Sequence, residues 1–484
     1  MAGVMLHIAC MPLDVRSPAI RRRHLLATAG VALLPAQARA QAVPGIRQLV
    51  VAQRMIAVGN RAASVYRLGP ADGGSGLILQ PGERFRVQLR NQLDEPTNIH
   101  WHGQTPPTEQ NGVGALLAPH AQREYSFVAR PGTHWMHAQH GLHRQRLLAA
   151  PLIVRDTEAA GQDMQDVVMM LHDFSWRDAK DILADLAGGG PGMAMPMAGF
   201  AGPAALNDVL YDAYLANDRT LAEPDILRVE RGVRVRLRII NASSATQFWL
   251  DFGSLEDTVL ATDGNPVIPL PAPPSVPLAI GQRLDIGFRM PSSGAFPVLA
   301  QVAGTTKRTG IILATPGITT IPFLDLPAPQ ALPPLDISMD RRLTALTPLA
   351  PRAADSRHTI TLDGTMMRPP WSINDRRWAE HTPITVRLGQ RVVLDIVNRT
   401  PIAHAMHLHG HHFQLIAVNG APLSGPMRDT ILVPAASGAR GSGTISIAFD
   451  ADNPGKWLLH SHNLYHMAAG MMTQLVYADT TSAR

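Results

Sequence analysis

Cysteine is all but missing. The 484-residue chain has one, Cys10, inside its first 40 residues. A mature chain cut after that leader has no disulfide, no thiolate to offer a metal and no cysteine nucleophile. Long helical stripes are missing as well: Gly and Pro stand at 40 each, and apolar residues come in short alternating runs broken by turn residues. That pattern argues against a helical fold and makes the expected class all-β. No excess of one charge remains either. The formal charge is +5, but Arg16, Arg21, Arg22, Arg23 and Arg39 against Asp14 place most of it in the leader. A nearly neutral remainder has no electrostatic footprint for nucleic acid or an anionic membrane.

The leader has the anatomy of an export signal. A basic cluster, Arg21-Arg22-Arg23, precedes an apolar stretch from Leu25 to Leu34 and a small-residue end, Ala38-Arg39-Ala40, with cleavage expected near Gln41. The paired arginines resemble a twin-arginine signal, which exports proteins already folded; the alternative is a general secretory signal with an extra basic residue. The apolar stretch is too short to span a membrane. The expected product is therefore periplasmic or secreted, with no membrane span.

Length alone suggests about three domains. One pattern recurs three times: Gly82-Glu83-Arg84 running to Asn91, Gly232-Val233-Arg234 to Asn241, and Gly389-Gln390-Arg391 to Asn398. Alternating residues between those ends, such as Phe85-Arg86-Val87-Gln88-Leu89, read as the same edge of a β-sandwich made three times. Pro-, Gly- and acid-rich stretches place the boundaries, giving a signal peptide at 1–40 and domains at 41–158, 159–325 and 326–484. A segment from Gly188 to Met197, carrying Met193, Met195 and Met197, is expected to be a surface loop in the second domain.

Four histidine clusters stand out: His100-Trp101-His102-Gly103; His134-Trp135-Met136-His137 with Gln139 and His140; His404-Ala405-Met406-His407-Leu408-His409-Gly410; and His460-Ser461-His462 with His466 and Met471. On a strand, histidines at i and i+2 share one face, and neutral imidazole suits copper, zinc, iron and nickel. One such pair is weak support for a metal. Two clusters in the first repeat and two in the third, with none in the second, point to a metal site where the chain ends meet, between domains, where pockets favour forming. Trp101, Trp135 and Trp457 read as core, and His411 and His412 as supporting or surface residues.

These stretches, with Pro131-Gly132-Thr133-His134-Trp135-Met136-His137, Met406 to Phe413 and Tyr465-His466-Met467 through Gly470-Met471-Met472, resemble the three-domain multicopper oxidases of the laccase and bacterial copper-resistance type. The resemblance covers essentially the whole mature chain. It implies three cupredoxin-like Greek-key β-sandwich domains, the second without metal ligands. It further implies that His100 and His407 hold a type 2 copper, that His102, His137, His409, His460 and His462 hold a type 3 pair, and that His404, His466 and axial Met471 surround a type 1 copper. The implied reaction is oxidation of a small reductant, phenol-like or cuprous ion, with reduction of dioxygen to water.

Three positions depart from that pattern. Ser461 stands where the family has the type 1 cysteine, and a hydroxyl is a hard, weak donor where a soft thiolate is needed. Gln139 stands where the family has a second type 3 histidine. Asn111 stands where it has an acid before Gly112, and an amide cannot exchange a proton as a carboxyl does. Three readings follow: an active copper oxidase, a copper-binding protein with impaired turnover and a cuprous site at His404, His466 and Met471, or a cell-envelope scaffold of the same fold.

Overall fold

A computed structural model describes residues 45–157, 164–188, 208–321, 324, 327–365, 370–436 and 443–478. The leader with Cys10 and the Met193, Met195 and Met197 segment lie outside the described residues, as does part of each expected domain boundary.

The recurring sequence pattern sets three equivalent strand ends. Gly82, Gly232 and Gly389 all take positive φ, between 66° and 82°, which L-residues with a side chain adopt only at a cost. Each turns the chain into a strand: Arg84–Asn91, Arg234–Asn241 and Arg391–Asn398. All three run parallel to an earlier strand and antiparallel to a later one. The closing asparagine does the same work each time. Asn91, Asn241 and Asn398 accept from the backbone N–H two residues on, and donate to two or three main-chain carbonyls. Buried amides so placed tie off a strand end that would otherwise leave main-chain groups unmet.

Around these strands the chain forms three pairs of sheets. Within 47–154 there are two of four strands, within 164–314 one of six and one of five, and within 356–477 one of seven and one of five. The fold is all-β, a set of cupredoxin-like sandwiches. Where one face meets solvent, burial alternates along the strand: Phe85, Val87 and Leu89 are buried, while Arg84 and Arg86 are exposed.

The histidine strands are different, being buried along their whole length: Ile99–His102, Gly132–Ala138 and His404–Leu408. Trp101, Trp135, Met136 and Met406 supply the apolar half of that burial, as Trp457 does on the strand Lys456–Ser461, so the tryptophans are core residues as expected. Pairing fixes the histidines' neighbours. His100 lies opposite His137, and His407 opposite His460.

The glycines after His100-Trp101-His102 and His407-Leu408-His409 have a steric reason. Gly103 and Gly410 take φ of 86° and 69°, and a Cβ would sit 2.4 Å from His134 Nδ1 or 2.5 Å from the Trp457 indole. Any larger residue would clash with side chains packed beside the histidine strands.

Candidate metal centre

Seven of the histidines singled out in the sequence come together and two form a separate pair. His100 Nε2 faces His407 Nε2 at 3.1 Å, and His409 Nε2 faces His460 Nε2 at 3.0 Å. His102 Nδ1 lies 3.3 Å from His137 Nε2 and 3.2 Å from His462 Nε2. His100, His102 and His407, and again His102, His137 and His462, offer ring nitrogens close enough to share one ion. Two nitrogens bound to one tetrahedral ion at about 2.0 Å stand roughly 3.3 Å apart, so these spacings fit a metal.

Outer hydrogen bonds fix which nitrogen four of the rings turn inward. His137 Nδ1 donates to the Ala138 carbonyl, His460 Nδ1 to the Ser461 carbonyl and His407 Nδ1 to the Asp429 carbonyl, at 2.7 to 3.0 Å. His102 is turned the other way: its Nε2 lies 3.0 Å from Asp429 Oδ1 and 3.1 Å from Thr430 Oγ1, leaving Nδ1 for the centre. Carboxylate or carbonyl acceptors behind ligating imidazoles orient them and raise their basicity.

Burial pushes these rings toward the neutral form a metal needs. His100, His102, His137, His409 and His462 are held well below the usual histidine value, first by burial and then by neighbouring rings or cations, and His460 is pulled down to about 3. Lone pairs facing one another at about 3 Å in a dry site repel unless a cation lies between them. The donor set fits copper, to which imidazole is well suited.

The His404–His466 pair fits less well. Their Nδ1 atoms face each other at 3.2 Å, with Thr400 Oγ1 2.8 Å behind His404 Nε2 and Asp208 Oδ2 2.8 Å behind His466 Nε2. Trp371 packs against both rings. Met471 is fully buried, and main-chain bonds join it to His466 and to Ser461. Ser461 Oγ is buried with no hydrogen-bond partner among the described residues. A hydroxyl there is neither satisfied nor a soft donor, so the residues present do not make a thiolate copper site.

Gln139 reaches the centre by its side chain: Nε2 is 3.2 Å from His460 Nε2, beside the His409–His460 pair. His140 does not replace it. Its backbone N–H donates to Asn98 Oδ1, and its ring packs edge-on to His143. Asn111 is used locally, its Oδ1 accepting from the N–H groups of Val113 and Gly114. His411 is buried and His412 half-buried: His411 contacts the Tyr477 hydroxyl, and His412 contacts Asn265 and the Gly103 carbonyl.

Several residues of the site escape sequence reading. Asp429 is wholly buried, and burial alone would raise its pKa; the Arg283 guanidinium and His102 outweigh that and hold the carboxyl well below the usual carboxylate range. Arg144 presses a cation on the centre, Nη1 standing 3.1 Å from His462 Nδ1 while Nη2 donates to the His462 carbonyl at 2.6 Å. Burial pulls it down to about 10, still charged at neutral pH. A charged Arg428-Asp429 pair next to the apolar run Ile431 to Val433 is the only local sign of any of this.

Multicopper oxidase family models match residues 72–159, 165–318 and 352–481. The chain is 30% identical to the multicopper oxidase MmcO of Mycobacterium tuberculosis over 449 residues, covering 87% of this chain and 85% of that protein. It is 23% identical to a copper resistance protein A homolog of Pseudomonas syringae pv. tomato, over 88% and 91% of the two chains. Among solved structures, Fet3p, described as a multicopper oxidase that functions in iron import, superposes with a TM-score of 0.74 at 16% identity, over 89% and 90% of the two chains. A laccase from Botrytis aclada does so with 0.71 at 22%, over 90% and 88%.

Proposed function

Since the chain belongs to the multicopper oxidase family, we propose that it holds copper at its histidine centre and accepts a small reductant, phenol-like or cuprous ion, with dioxygen as second substrate, but turns over far more slowly than a member with the thiolate. In this reading His100 and His407 hold one copper. His102, His137 and His462 hold a second, and His409 and His460 a third. His404, His466 and Met471 offer two imidazoles and a thioether, which suit cuprous ion without cysteine. The domains run 41–158, 159–325 and 326–484, and the leader directs export, to the periplasm or outside.

Copper, when bound, supplies the one-electron chemistry that joins reductant oxidation to dioxygen reduction. The chain's own part is positional. Asp429 holds His102 and, through its carbonyl, His407 in the tautomers that turn lone pairs inward. The sheet pairings hold the rings in register, and the buried Trp135 indole packs against His102, His137 and His462 and covers that side of the centre. Asn111, with its oxygen spent on two backbone N–H groups, offers no carboxyl to carry protons.

The observation that carries the reading is the contrast between seven converging imidazoles and the orphaned Ser461 hydroxyl. Copper loading of the purified mature protein tests it, with metal counted per chain, the visible spectrum recorded and oxygen uptake followed on a phenol and on cuprous ion. Two or more coppers, no intense blue band and little turnover are expected. A strong blue band with rapid turnover would overturn the impairment, and no bound copper would leave a scaffold.

A further inference from the structure

The Gln139 amide touches more than the centre. Its Nε2 is 3.2 Å from His460 Nε2 and also 3.2 Å from the Met467 sulfur. An N–H donor sits where acceptor lone pairs converge, and a cation can take the same place. His409 Nε2, 3.0 Å from His460 Nε2, adds a third potential donor atom nearby. Gln139 Oε1 is buried without a partner among the described residues, so the amide is only half satisfied where it lies.

Outside this point lies a cleft of about 360 Å³, lined by Gln139, Leu142, Leu183, Trp378, Met467 and Met472 among others, none of them acidic. The short helix Leu464–Ala469 carries Met467 and is held by its N-cap Asn463, which accepts from the N–H groups of Tyr465 and His466. The thioether is thus on a fixed element while the amide borders open space.

We propose that His409, His460 and Met467 form a binding site for a soft monovalent cation, Cu(I), reached from this cleft and plugged by the Gln139 side chain. The proposal rests on the copper reading above and deepens it. The donors are two neutral imidazoles and a thioether, the set preferred by Cu(I), with no carboxylate to favour a hard divalent ion. The cost of burying a charge rises with its square, which again favours a single charge. On binding, the amide swings into the cleft and exchanges two hydrogen bonds for water; no electron or proton moves.

Silver(I), a redox-inert stand-in, tests this on the full mature protein carrying Met471→Leu, which removes the other candidate thioether. Silver affinity is read by competition with a chelator, and the ligands by X-ray absorption. Adding Met467→Leu is expected to remove one silver site, or weaken it at least about tenfold, with loss of one sulfur neighbour. Gln139→Ala should tighten the same site by removing the plug. An unchanged affinity and unchanged sulfur count on Met467→Leu would overturn the site, and weaker binding on Gln139→Ala would overturn the plug. Cupric loading of the remaining histidines, followed by electron paramagnetic resonance, stands apart: its absence sinks the copper reading, whereas its presence with no Met467-dependent silver sinks only this site.

Discussion

Replacing Ser461 with cysteine separates what the fold supplies at the His404–His466 pair from what one side chain supplies. The Ser461 hydroxyl is buried and unpaired, and an unmet buried polar group costs about 1–3 kcal/mol. A thiol in its place behaves as a small hydrophobe with a weak donor. Without metal, Ser461→Cys is therefore expected to stabilise by about 1 kcal/mol. With about 2.1 cal/mol/K of unfolding entropy per residue, that raises Tm by about 1 °C if several hundred residues melt together, or about 4 °C if the C-terminal sandwich melts alone. Ser461→Ala should give a similar rise, which calorimetry of the two variants checks. With copper they part. Ser461→Cys puts a thiolate beside His404, His466 and Met471, and an intense visible band and faster oxygen uptake should appear that neither Ser461 nor Ser461→Ala shows. A Ser461→Cys protein that takes up the additional copper yet stays colourless would refute the placement of these ligands. Destabilisation by 2 kcal/mol or more, on the order of the unmet-hydroxyl cost, would refute the claim that the hydroxyl is unsatisfied.

Three further outcomes follow from the same site. Arg144→Met keeps much of the packing volume but removes a buried cation from His462, so copper at the centre should bind roughly tenfold tighter or more by chelator competition; unchanged affinity would show the charge to be compensated. Asp429→Asn removes the carboxylate charge that pairs with the buried Arg283 guanidinium and with His102, leaving Arg283 to Asp263 and His102 to Thr430, with an expected loss of about 3 kcal/mol in denaturant unfolding and about 10–100-fold in copper affinity. For the metal-free protein, burial pulls His134 down to about 3, and His172 and His411 to about 4. These rings stay neutral when folded but gain protons in the unfolded chain below pH about 6.5, so stability should be highest above that pH and fall steadily from there toward pH 4. A urea midpoint that does not move between pH 7 and 4 would refute it.

Local chemistry made much of this molecule legible. The glycine-to-asparagine repeat needs only positive φ and a strand cap, so it reads three times without any knowledge of packing. The His-x-His spacing is equally local, because a strand places i and i+2 on one face. Asn98 was not legible, although its Oδ1 accepts from the N–H groups of Gln139 and His140 and so aims the first side chain at the centre. Nor was the burial of His411, since a histidine after a ligand motif suits surface and interior equally until its hydrogen bonds are known.

The sequence alone determined the all-β class, the threefold strand pattern, the metal-ligating chemistry and the loss of the thiolate, since each is a property of residue type and short-range spacing. Tertiary structure decided which nitrogen each histidine turns inward, where Gln139 goes, and that Asp429, Arg283 and Arg144 meet the centre from far along the chain. Those contacts join residues more than a hundred positions apart. No local propensity encodes them; they exist only once burial has removed water and obliged every polar group to find a partner.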